Sequence, residues 1–304
     1  MNDYTLRTFR TFATKQLEAV SPTPDLDVQV LLQHAMHYDK TQLLLFLDNH
    51  IPDDKLEWLY HALDQRETGL PVAYITGHKE FYGFDFFVTP EVLIPKPDTE
   101  ILVERALELI LEKMEDSSNE EPLKICDMCT GSGCIGISVL KTLYAVDKIP
   151  VDKLPQITMV DISAPALEIA KKNVASLLPE KTLVEKFTFI QSDLFEKVEG
   201  QFDLILANPP YVPTSMVDEL LADGRNEPRL ALDGDTTEAS SDGTSIIKKL
   251  IIQACEHLAF NATILMETGE YNALQTAEFA RGQGFETQIH TDLEGEYRNV
   301  EMTK

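Results

Sequence analysis

Apolar positions recur at helical spacing along the first 68 residues. One helix would bury a face that carries, in chain order, Leu26, Val30, Leu31 and Met36. A second helix is predicted from Asp53, a good N-cap residue, to Thr68, because Gly69 follows as a stop signal. We therefore predict a small helical domain at the N-terminus, residues 1–78, with a role in substrate recognition.

The pattern becomes aromatic and strand-like between Glu80 and Ile94. Large apolar side chains surround Gly83 there: Phe81, Tyr82, Phe84, Phe86, Phe87 and Val88. Aromatic residues on both sides of a glycine predict a β-hairpin. We expect this hairpin to link two domains, over residues 79–97.

A stiff strap, Pro95-Lys96-Pro97, closes the predicted linker, because proline fixes its own backbone angle. Asp98 or Thr99 would then cap a helix with apolar positions at Ile101, Leu102, Leu107 and Ile110. The polar and acidic segment Glu115–Glu121 is predicted to be a loop.

Strand and helix patterns alternate through the remaining residues, 98–304. Strands are predicted at 124–127, 157–160, 187–191, 203–207 and 263–267, and helices at 134–144, 165–177 and 245–259. Such alternation predicts an α/β domain with a mostly parallel, doubly wound sheet. Asp233–Gly243, rich in Gly, Ser, Thr and acidic residues, is predicted to be a mobile surface loop.

Composition is that of an ordinary globular protein, with 304 residues, 43% hydrophobic and 25% charged. No basic segment followed by an apolar one opens the chain, so we expect no secretory signal. Apolar runs such as Leu43–Leu47 are far shorter than the ~20 residues of a membrane helix. A cytoplasmic location without membrane contact is therefore expected.

The net charge of −25 arises from 26 basic and 51 acidic residues. A field of that sign repels phosphate backbones and attracts basic proteins. The charge therefore disfavours direct binding to nucleic acid, although acidity also serves solubility.

Two of the four cysteines, Cys126 and Cys129, have the C-x-x-C spacing of some metal and redox sites. Cys126 falls in a predicted strand, however, and a zinc site needs more ligands than this segment offers. Free cysteine usually behaves as a small buried hydrophobe. The sequence favours that interpretation and predicts no metal site.

A glycine-rich loop, Thr130-Gly131-Ser132-Gly133-Cys134, joins the first predicted strand of the second domain to a helix. Glycine permits a tight turn and lets a ligand approach the backbone. Asp127 could meet a cationic amino-acid group, and Asp161, at the end of the next strand, could accept from two ribose hydroxyls. Asp193-Leu194, after the third strand, would flank an adenine. A dehydrogenase and an S-adenosylmethionine enzyme share this arrangement.

The tetrapeptide Asn208-Pro209-Pro210-Tyr211 follows the apolar run Phe202–Ala207, which predicts a buried strand. Two prolines fix the backbone and lack N–H donors, and the residue before a proline is pushed to extended geometry. Asn208 and nearby carbonyls would therefore face outward as acceptors for an –NH2 group, with Tyr211 stacked on a planar substrate. A stiff turn is the alternative interpretation. The neighbouring glycine loop favours chemistry on an amide or an exocyclic amine.

On these motifs the chain resembles the glutamine N5-methyltransferases of peptide-chain release factors, the HemK/PrmC group, over nearly its whole length. Nucleic-acid amino-methyltransferases share the Asn-Pro-Pro-Tyr segment. The more specific part of the resemblance lies in Leu70–Gly77 and Val92–Glu100, and further matches are Asp161–Ser163, Glu227-Pro228 and Ala231-Leu232.

The resemblance implies a Rossmann-like class I methyltransferase domain at residues 98–304. The implied reaction transfers a methyl group from S-adenosyl-L-methionine to the glutamine of the Gly-Gly-Gln motif in class 1 release factors, leaving S-adenosyl-L-homocysteine. Asn208, Pro209, Pro210 and Tyr211 would bind the glutamine, with Asn208, Pro209 and Tyr211 as the catalytic set. The implied cofactor contacts are Asp127, Thr130, Gly131, Ser132, Gly133, Cys134, Asp161, Ile162, Asp193, Leu194 and Asn208.

Three segments depart from the family pattern. Lys96 stands where the family usually has arginine, Glu267–Asn272 follows its pattern loosely, and the 233–243 loop is longer than usual. The alternatives are a ribosomal-protein glutamine methyltransferase, a DNA or RNA amino-methyltransferase, an NAD-dependent oxidoreductase, and a non-catalytic cofactor-binding protein.

Overall fold

The computed structural model describes residues 4–116, 121–146, 148–178, 180–222, 226–235, 241–292 and 294–304. The chain divides into two compact units. The first comprises Met1–His78 with Glu219–Asn226, and the second comprises Lys79–Asp218 with Glu227–Lys304.

The first unit is helical, with α1 (Leu6–Leu17), α2 (Pro24–Met36), α3 (Lys40–Leu45), α4 (Asp53–Glu67) and α5 (Val72–Thr76). Its core is built around fully buried Leu6, Phe9, Leu32 and Leu59. The predicted apolar face of α2 was partly wrong, since Leu26 is 54% exposed. The buried positions of this helix are Val28, Leu31, Leu32 and Ala35.

The aromatic segment forms a two-stranded sheet of β1 (His78–Phe81) and β2 (Phe84–Phe87). Tyr82 and Gly83 connect the strands with positive φ angles of 52° and 74°, as a two-residue hairpin turn requires. The strands end earlier than predicted, because the chain from residue 88 to 98 has no strand pairing.

Helix α6 (Thr99–Asp116) precedes β3 (Lys124–Met128), α7 (Cys134–Ala145), β4 (Gln156–Asp161), α8 (Ala164–Leu177), α9 (Lys181–Val184) and β5 (Phe187–Gln191). There follow β6 (Phe202–Ala207), α10 (Thr214–Ala222), a 3-10 turn (Arg229–Ala231), α11 (Ser245–Ala254), β7 (Leu258–Glu267), α12 (Ala273–Gly282), β8 (Glu286–Thr291) and β9 (Tyr297–Thr303).

The seven strands β3 to β9 form one sheet in the order β5-β4-β3-β6-β7-β9-β8. The first five strands along the chain run parallel, whereas β9 is antiparallel to both β7 and β8. Apolar clusters cover both faces of the sheet, around Ile157 and Leu204 on one and Ile205 and Ile264 on the other. The predicted α/β fold with a mostly parallel, doubly wound sheet is confirmed.

Several predicted boundaries were wrong. Helix α11 ends at Ala254 and not at residue 259, because β7 already begins at Leu258. Helix α6 continues to Asp116, into the segment predicted to be a loop, whose residues 117–120 lie outside the described part of the chain. Residues 236–240 of the predicted 233–243 loop also lie outside it. Across the described ranges, no helix is both long and apolar enough to cross a membrane.

Candidate active site

A cavity of about 400 Å³ lies at the carboxyl ends of β3, β4 and β6, a volume within the ~300–1,000 Å³ typical of ligand sites. From β3, the strand order of the sheet runs through β4 to β5 in one direction and through β6 to β7 in the other. Ligands of open α/β sheets bind at such a switch point. Its walls include Val92, the strap residues Pro95 and Lys96, the loop residues Thr130, Gly131, Ser132 and Cys134, and Asp161, Ile162, Asp193, Leu194, Asn208 and Pro210.

The glycine loop is tied to the neighbouring strand by backbone donors. Thr130 N–H donates to the carbonyl of Val160 across 3.0 Å, and Gly131 N–H donates to Asp161 Oδ2 across 2.9 Å. Gly133 precedes α7 with φ +80°, and a Cβ there would lie 3.0 Å from Ile137 Cδ1. The loop is therefore a rigid turn that requires glycine at Gly133.

Asp127 lies beneath this loop and not in the cavity wall formed by the described residues. The side chain is fully buried. Its Oδ2 accepts from the Thr130 hydroxyl at 2.7 Å and from Gly136 N–H at 3.1 Å. Burial is the main cause that raises the pKa of Asp127 to about 6, against these two hydrogen bonds. The observed contacts make Asp127 a brace for the loop, and its contact with a cofactor stays a prediction.

Asp161 presents a carboxylate at the end of β4. Its Oδ1 accepts from Ser163 N–H and its Oδ2 from Gly131 N–H, each across 2.9 Å. Each carboxylate oxygen can accept a second hydrogen bond, so acceptor capacity remains toward the cavity. Desolvation raises the pKa of Asp161 from its ordinary value. Ile162 next to it lines the cavity and is 48% exposed, which gives this wall an apolar surface.

Asp193 and Leu194 follow β5, the strand beside β4, and line the same cavity. The Asp193 carboxylate accepts from Lys249 Nζ across 2.7 Å, and Lys249 also lines the cavity. Leu194 is buried and has φ +51°, while Cys129, directly before the glycine loop, has φ +60°. Non-glycine residues adopt positive φ uncommonly and often at functional sites. Two such residues thus lie in the wall of one cavity.

The Asn-Pro-Pro-Tyr segment leaves β6 beside the glycine loop. Asn208 lines the cavity, and its Nδ2 donates to the Thr99 hydroxyl across 3.2 Å. Pro210 lines the cavity as well. Pro209 is buried and Tyr211 is partly buried, and neither belongs to the cavity wall among the described residues. The Tyr211 hydroxyl donates to Glu267 Oε1 across 3.3 Å.

Sequence reasoning missed an ion pair that connects two segments of the cavity wall. Lys96 Nζ lies 2.8 and 2.9 Å from the two carboxylate oxygens of Glu227, and Ile94 N–H donates to the same carboxylate across 3.1 Å. Glu227 thereby holds the strap to the segment Pro228–Ala231. The lysine contacts both oxygens although it lacks the arginine fork. The signals were the Glu227-Pro228 match and the unusual Lys96.

The cysteines show no redox or metal arrangement within the part of the chain that the structure describes. Cys126, Cys129 and Cys134 are free thiols, and burial raises the pKa of each, that of Cys134 to about 12. A thiol with a raised pKa is a poor nucleophile and ligand. No group of three His, Cys, Asp or Glu side chains in the described ranges is placed to hold a metal ion.

Known proteins resemble both units. Residues 9–77 match the family model described as the PrmC N-terminal domain, and residues 102–226 match the Methyltransferase small domain. A release factor glutamine methyltransferase of Koribacter versatilis is 37% identical over 261 residues, 84% of either chain. One from Haemophilus influenzae is 36% identical over 264 residues, again 84% of either chain.

Among solved structures, the chain is similar to the release factor-specific protein-(glutamine-N5) methyltransferase of Alicyclobacillus acidocaldarius, with 24% identity and a TM-score of 0.37. The alignment covers 72% of this chain and 99% of that one.

Proposed function

The chain belongs to the family of release factor glutamine methyltransferases, and from this premise we propose that it methylates the side-chain amide nitrogen of a release-factor glutamine. The methyl donor is S-adenosyl-L-methionine. One observation carries the proposal: Asn208, the glycine loop around Gly131, and Asp161 at the end of β4 all line the same cavity. An acceptor for an amide therefore adjoins groups suited to a nucleoside.

The residues present fit this cofactor. The glycine loop offers close approach to its backbone, and Asp161 offers carboxylate lone pairs for ribose hydroxyls. Ile162 and Leu194 supply apolar surface for a planar base, and Asp193 supplies an acceptor at its edge. When bound, S-adenosylmethionine supplies an electrophilic methyl group on a sulfonium, and S-adenosyl-L-homocysteine is the product that we propose.

The role of the protein is to orient a poor nucleophile. The lone pair of a primary amide is delocalised into its carbonyl, so the nitrogen reacts slowly by itself. We propose that Asn208 Oδ1 and the Pro209 carbonyl accept hydrogen bonds from the two N–H groups of the substrate and stabilise the positive charge that develops on nitrogen. The new N–CH3 bond would form as the S–CH3 bond breaks, and the methylated nitrogen would then lose one proton to water and become a neutral amide again. Such positioning can lower a barrier by roughly 7–11 kcal/mol in favourable cases. Pro210 and Tyr211 would limit the movement of the glutamine.

The division of labour along the chain is also a proposal. The helical domain of residues 1–78 would recognise the protein substrate, and residues 98–304 would bind the cofactor and transfer the methyl group. Residues 79–97 would link these two domains. The substrate would be a class 1 release factor with its Gly-Gly-Gln motif, in the cytoplasm. The net charge of −25 supports a protein partner over a nucleic acid.

A competition between substrates tests this function. The purified chain is incubated with methyl-labelled S-adenosylmethionine, a purified class 1 release factor, ribosomal proteins and total RNA. We expect the label in the release factor. Label in a ribosomal protein would instead favour the related glutamine methyltransferase function, and label in RNA would contradict the assignment.

A further inference from the structure

A fully buried asparagine, Asn173 on α8, bridges the β1–β2 hairpin and the glycine loop. Its Oδ1 accepts from Phe87 N–H across 2.8 Å, and its Nδ2 donates to the Phe87 carbonyl across 3.0 Å. The same Nδ2 donates to the Ser132 carbonyl across 2.9 Å. The oxygen and both N–H groups of one amide are therefore used.

The partners fix the orientation of this amide. A backbone N–H requires an acceptor and a backbone carbonyl requires a donor, so the oxygen faces Phe87 N–H and the NH2 group faces the two carbonyls. Aspartate has the same shape but no donor when it is ionised, and leucine has neither a donor nor an acceptor. The position therefore requires the amide of asparagine.

Both segments that Asn173 connects lead to the wall of the active-site cavity. Ser132 is 2% exposed and lines the cavity directly. After Phe87, at the end of β2, the chain continues into a second part of the wall, formed by Glu91, Val92, Leu93, Pro95 and Lys96. One side chain thus ties the glycine loop to the segment that supplies this second part.

Helix α8 makes further contacts with the same two segments. Ala170, one turn before Asn173, packs against the glycine loop, since a Cβ added to Gly133 would lie 3.3 Å from Ala170 Cβ. Lys172 Nζ lies 3.0 Å from the centre of the Phe87 ring, which is a cation–π contact. The loop and the hairpin are therefore held on one helix.

We propose that Asn173 is a positioning residue for the cofactor, which keeps the glycine loop in its binding conformation by tying it to the hairpin. The hairpin then takes part in cofactor binding and is more than a linker. The inference rests on the proposed function, in which this cavity binds S-adenosylmethionine. A cofactor on the loop would stabilise the hairpin in return, because the coupling free energy between two such events is reciprocal.

A purely structural role also predicts that loss of the amide lowers stability, because buried backbone groups of Phe87 and Ser132 would have no partner. Two further properties distinguish the positioning role. Cofactor affinity should fall in a variant that is still folded, and the opening of the hairpin should depend on the cofactor.

Asn173→Ser tests the first property, because the shorter side chain cannot reach both segments. By calorimetry, the Kd of S-adenosylhomocysteine should rise at least about 10-fold, the scale of one or two lost buried hydrogen bonds. At saturating S-adenosylmethionine, kcat should fall less than about threefold, since Asn208 and its segment remain in place. A Kd within about twofold of the wild-type value in the folded variant would overturn the proposal.

Leu143→Ala is the matched control in the same unit. Leu143 on α7 is fully buried and lies outside the cavity wall that the described residues form. Its truncation leaves an internal void that lowers stability, so the urea midpoint should fall as in Asn173→Ser, while the cofactor Kd should stay within about twofold. An equal rise of Kd in the two variants would assign the effect to lost stability and overturn the proposal.

Hydrogen exchange of the wild type tests the second property without a variant. Strand β2 belongs to a two-stranded sheet, and β8 is an edge strand of the same unit, outside the cavity wall formed by the described residues. S-adenosylhomocysteine at about 100 times its Kd can slow exchange up to about 100-fold. We expect the amides of β2 to slow at least about tenfold and those of β8 less than about twofold. Equal slowing of the two strands, or none, would overturn the proposal.

The same measurements separate this inference from the proposed function. Methylation of a release factor by a wild type whose β2 amides ignore the cofactor would contradict the inference alone. A wild type that shows the coupling but methylates no release factor would contradict the proposed function alone.

Discussion

Among single residues, Asn208 has the most direct chemical role in the proposed mechanism, because it would contact the substrate amide. Asn208→Ala removes the amide oxygen that we propose to accept from the substrate, and the rate of methyl transfer should fall roughly 100- to 1,000-fold, as for other lost transition-state partners. Calorimetry should still detect cofactor binding, weakened but measurable, because Asp161 and the glycine loop remain. A near-normal turnover number in this variant would remove Asn208 from the mechanism.

Asp161 should act on affinity and not on the chemical step. Asp161→Asn keeps the shape of the side chain and one oxygen for Gly131 N–H, but it loses the charge that strengthens bonds to ribose hydroxyls. Charge-assisted hydrogen bonds contribute about 1.5–3 kcal/mol, so the Kd of S-adenosylmethionine should rise roughly 10- to 100-fold. Saturating cofactor should restore most of kcat. An unchanged Kd by calorimetry would contradict the ribose assignment.

Local patterns predicted the site residues that stand at strand ends. The glycine loop, Asp161 and Asn208 each follow a short apolar run, and parallel strands bring such ends to one edge of a sheet. Thr99 and Glu267 could not be found in this way. Thr99 is 109 positions from Asn208 along the chain, and Glu267 is 56 positions from Tyr211. Only the packing of β6, β7 and α6 brings these pairs together.

At the scale of elements, Glu227 joins the strap to the opposite segment of the cavity wall. Glu227→Ala removes the acceptor of both Lys96 Nζ and Ile94 N–H. Lys96 is 41% exposed, so solvent screens the pair, and we expect cofactor binding to weaken only by roughly 5- to 10-fold. Calorimetry measures this change.

The control is Glu168→Ala, which removes an exposed ion pair with Lys171 on α8. Pairs of that kind contribute little, so cofactor affinity should not change. Equal affinities for the cofactor in the Glu227 and Glu168 variants would show that cofactor binding does not depend on the contact of Glu227 with the strap.

Element prediction succeeded where apolar periodicity was strong and failed at the polar edge of the sheet. Strands β3, β4 and β6 consist largely of buried residues, as parallel strands with two covered faces do. Strand β8 is mostly polar and has only Ile289 as an apolar side chain. It pairs antiparallel with the next strand, β9, across a short connection, but its polar side chains give no apolar alternation from which a strand could be predicted.

At the scale of the whole molecule, buried carboxyls couple stability to pH. Burial raises the pKa of Asp127 from 3.8 to about 6 and that of Glu267 from 4.5 to about 7. Between the unfolded and folded pKa values, the folded chain binds more protons, so the free energy of unfolding falls as pH rises through this window. Each group contributes at most roughly 3 kcal/mol to that loss.

Urea unfolding at about pH 5, 6 and 7 measures this dependence, because Glu301, with its pKa lowered to about 2, acts mainly below that range. Glu267→Gln should unfold with a flatter pH dependence than the wild type. Parallel pH dependences in the two proteins would show that Glu267 is not protonated in the folded state over this range.

The mostly parallel, doubly wound sheet followed from the alternation of strand and helix patterns over long stretches. Motifs along the chain predicted the family, and residues 9–77 and 102–226 match two separate family models. What no pattern predicted is the buried network under the active-site segment, because it depends on which side chains face inward at the ends of distant elements.

We propose that this chain methylates a glutamine side-chain amide held by Asn208. The most direct measurement is tandem mass spectrometry of a release factor after incubation with S-adenosylmethionine and either the wild type or Asn208→Ala. We expect one methyl group on the side-chain nitrogen of the Gly-Gly-Gln glutamine with the wild type and almost none with the variant. A methyl group on any other residue, or equal methylation by the two proteins, would contradict this proposal.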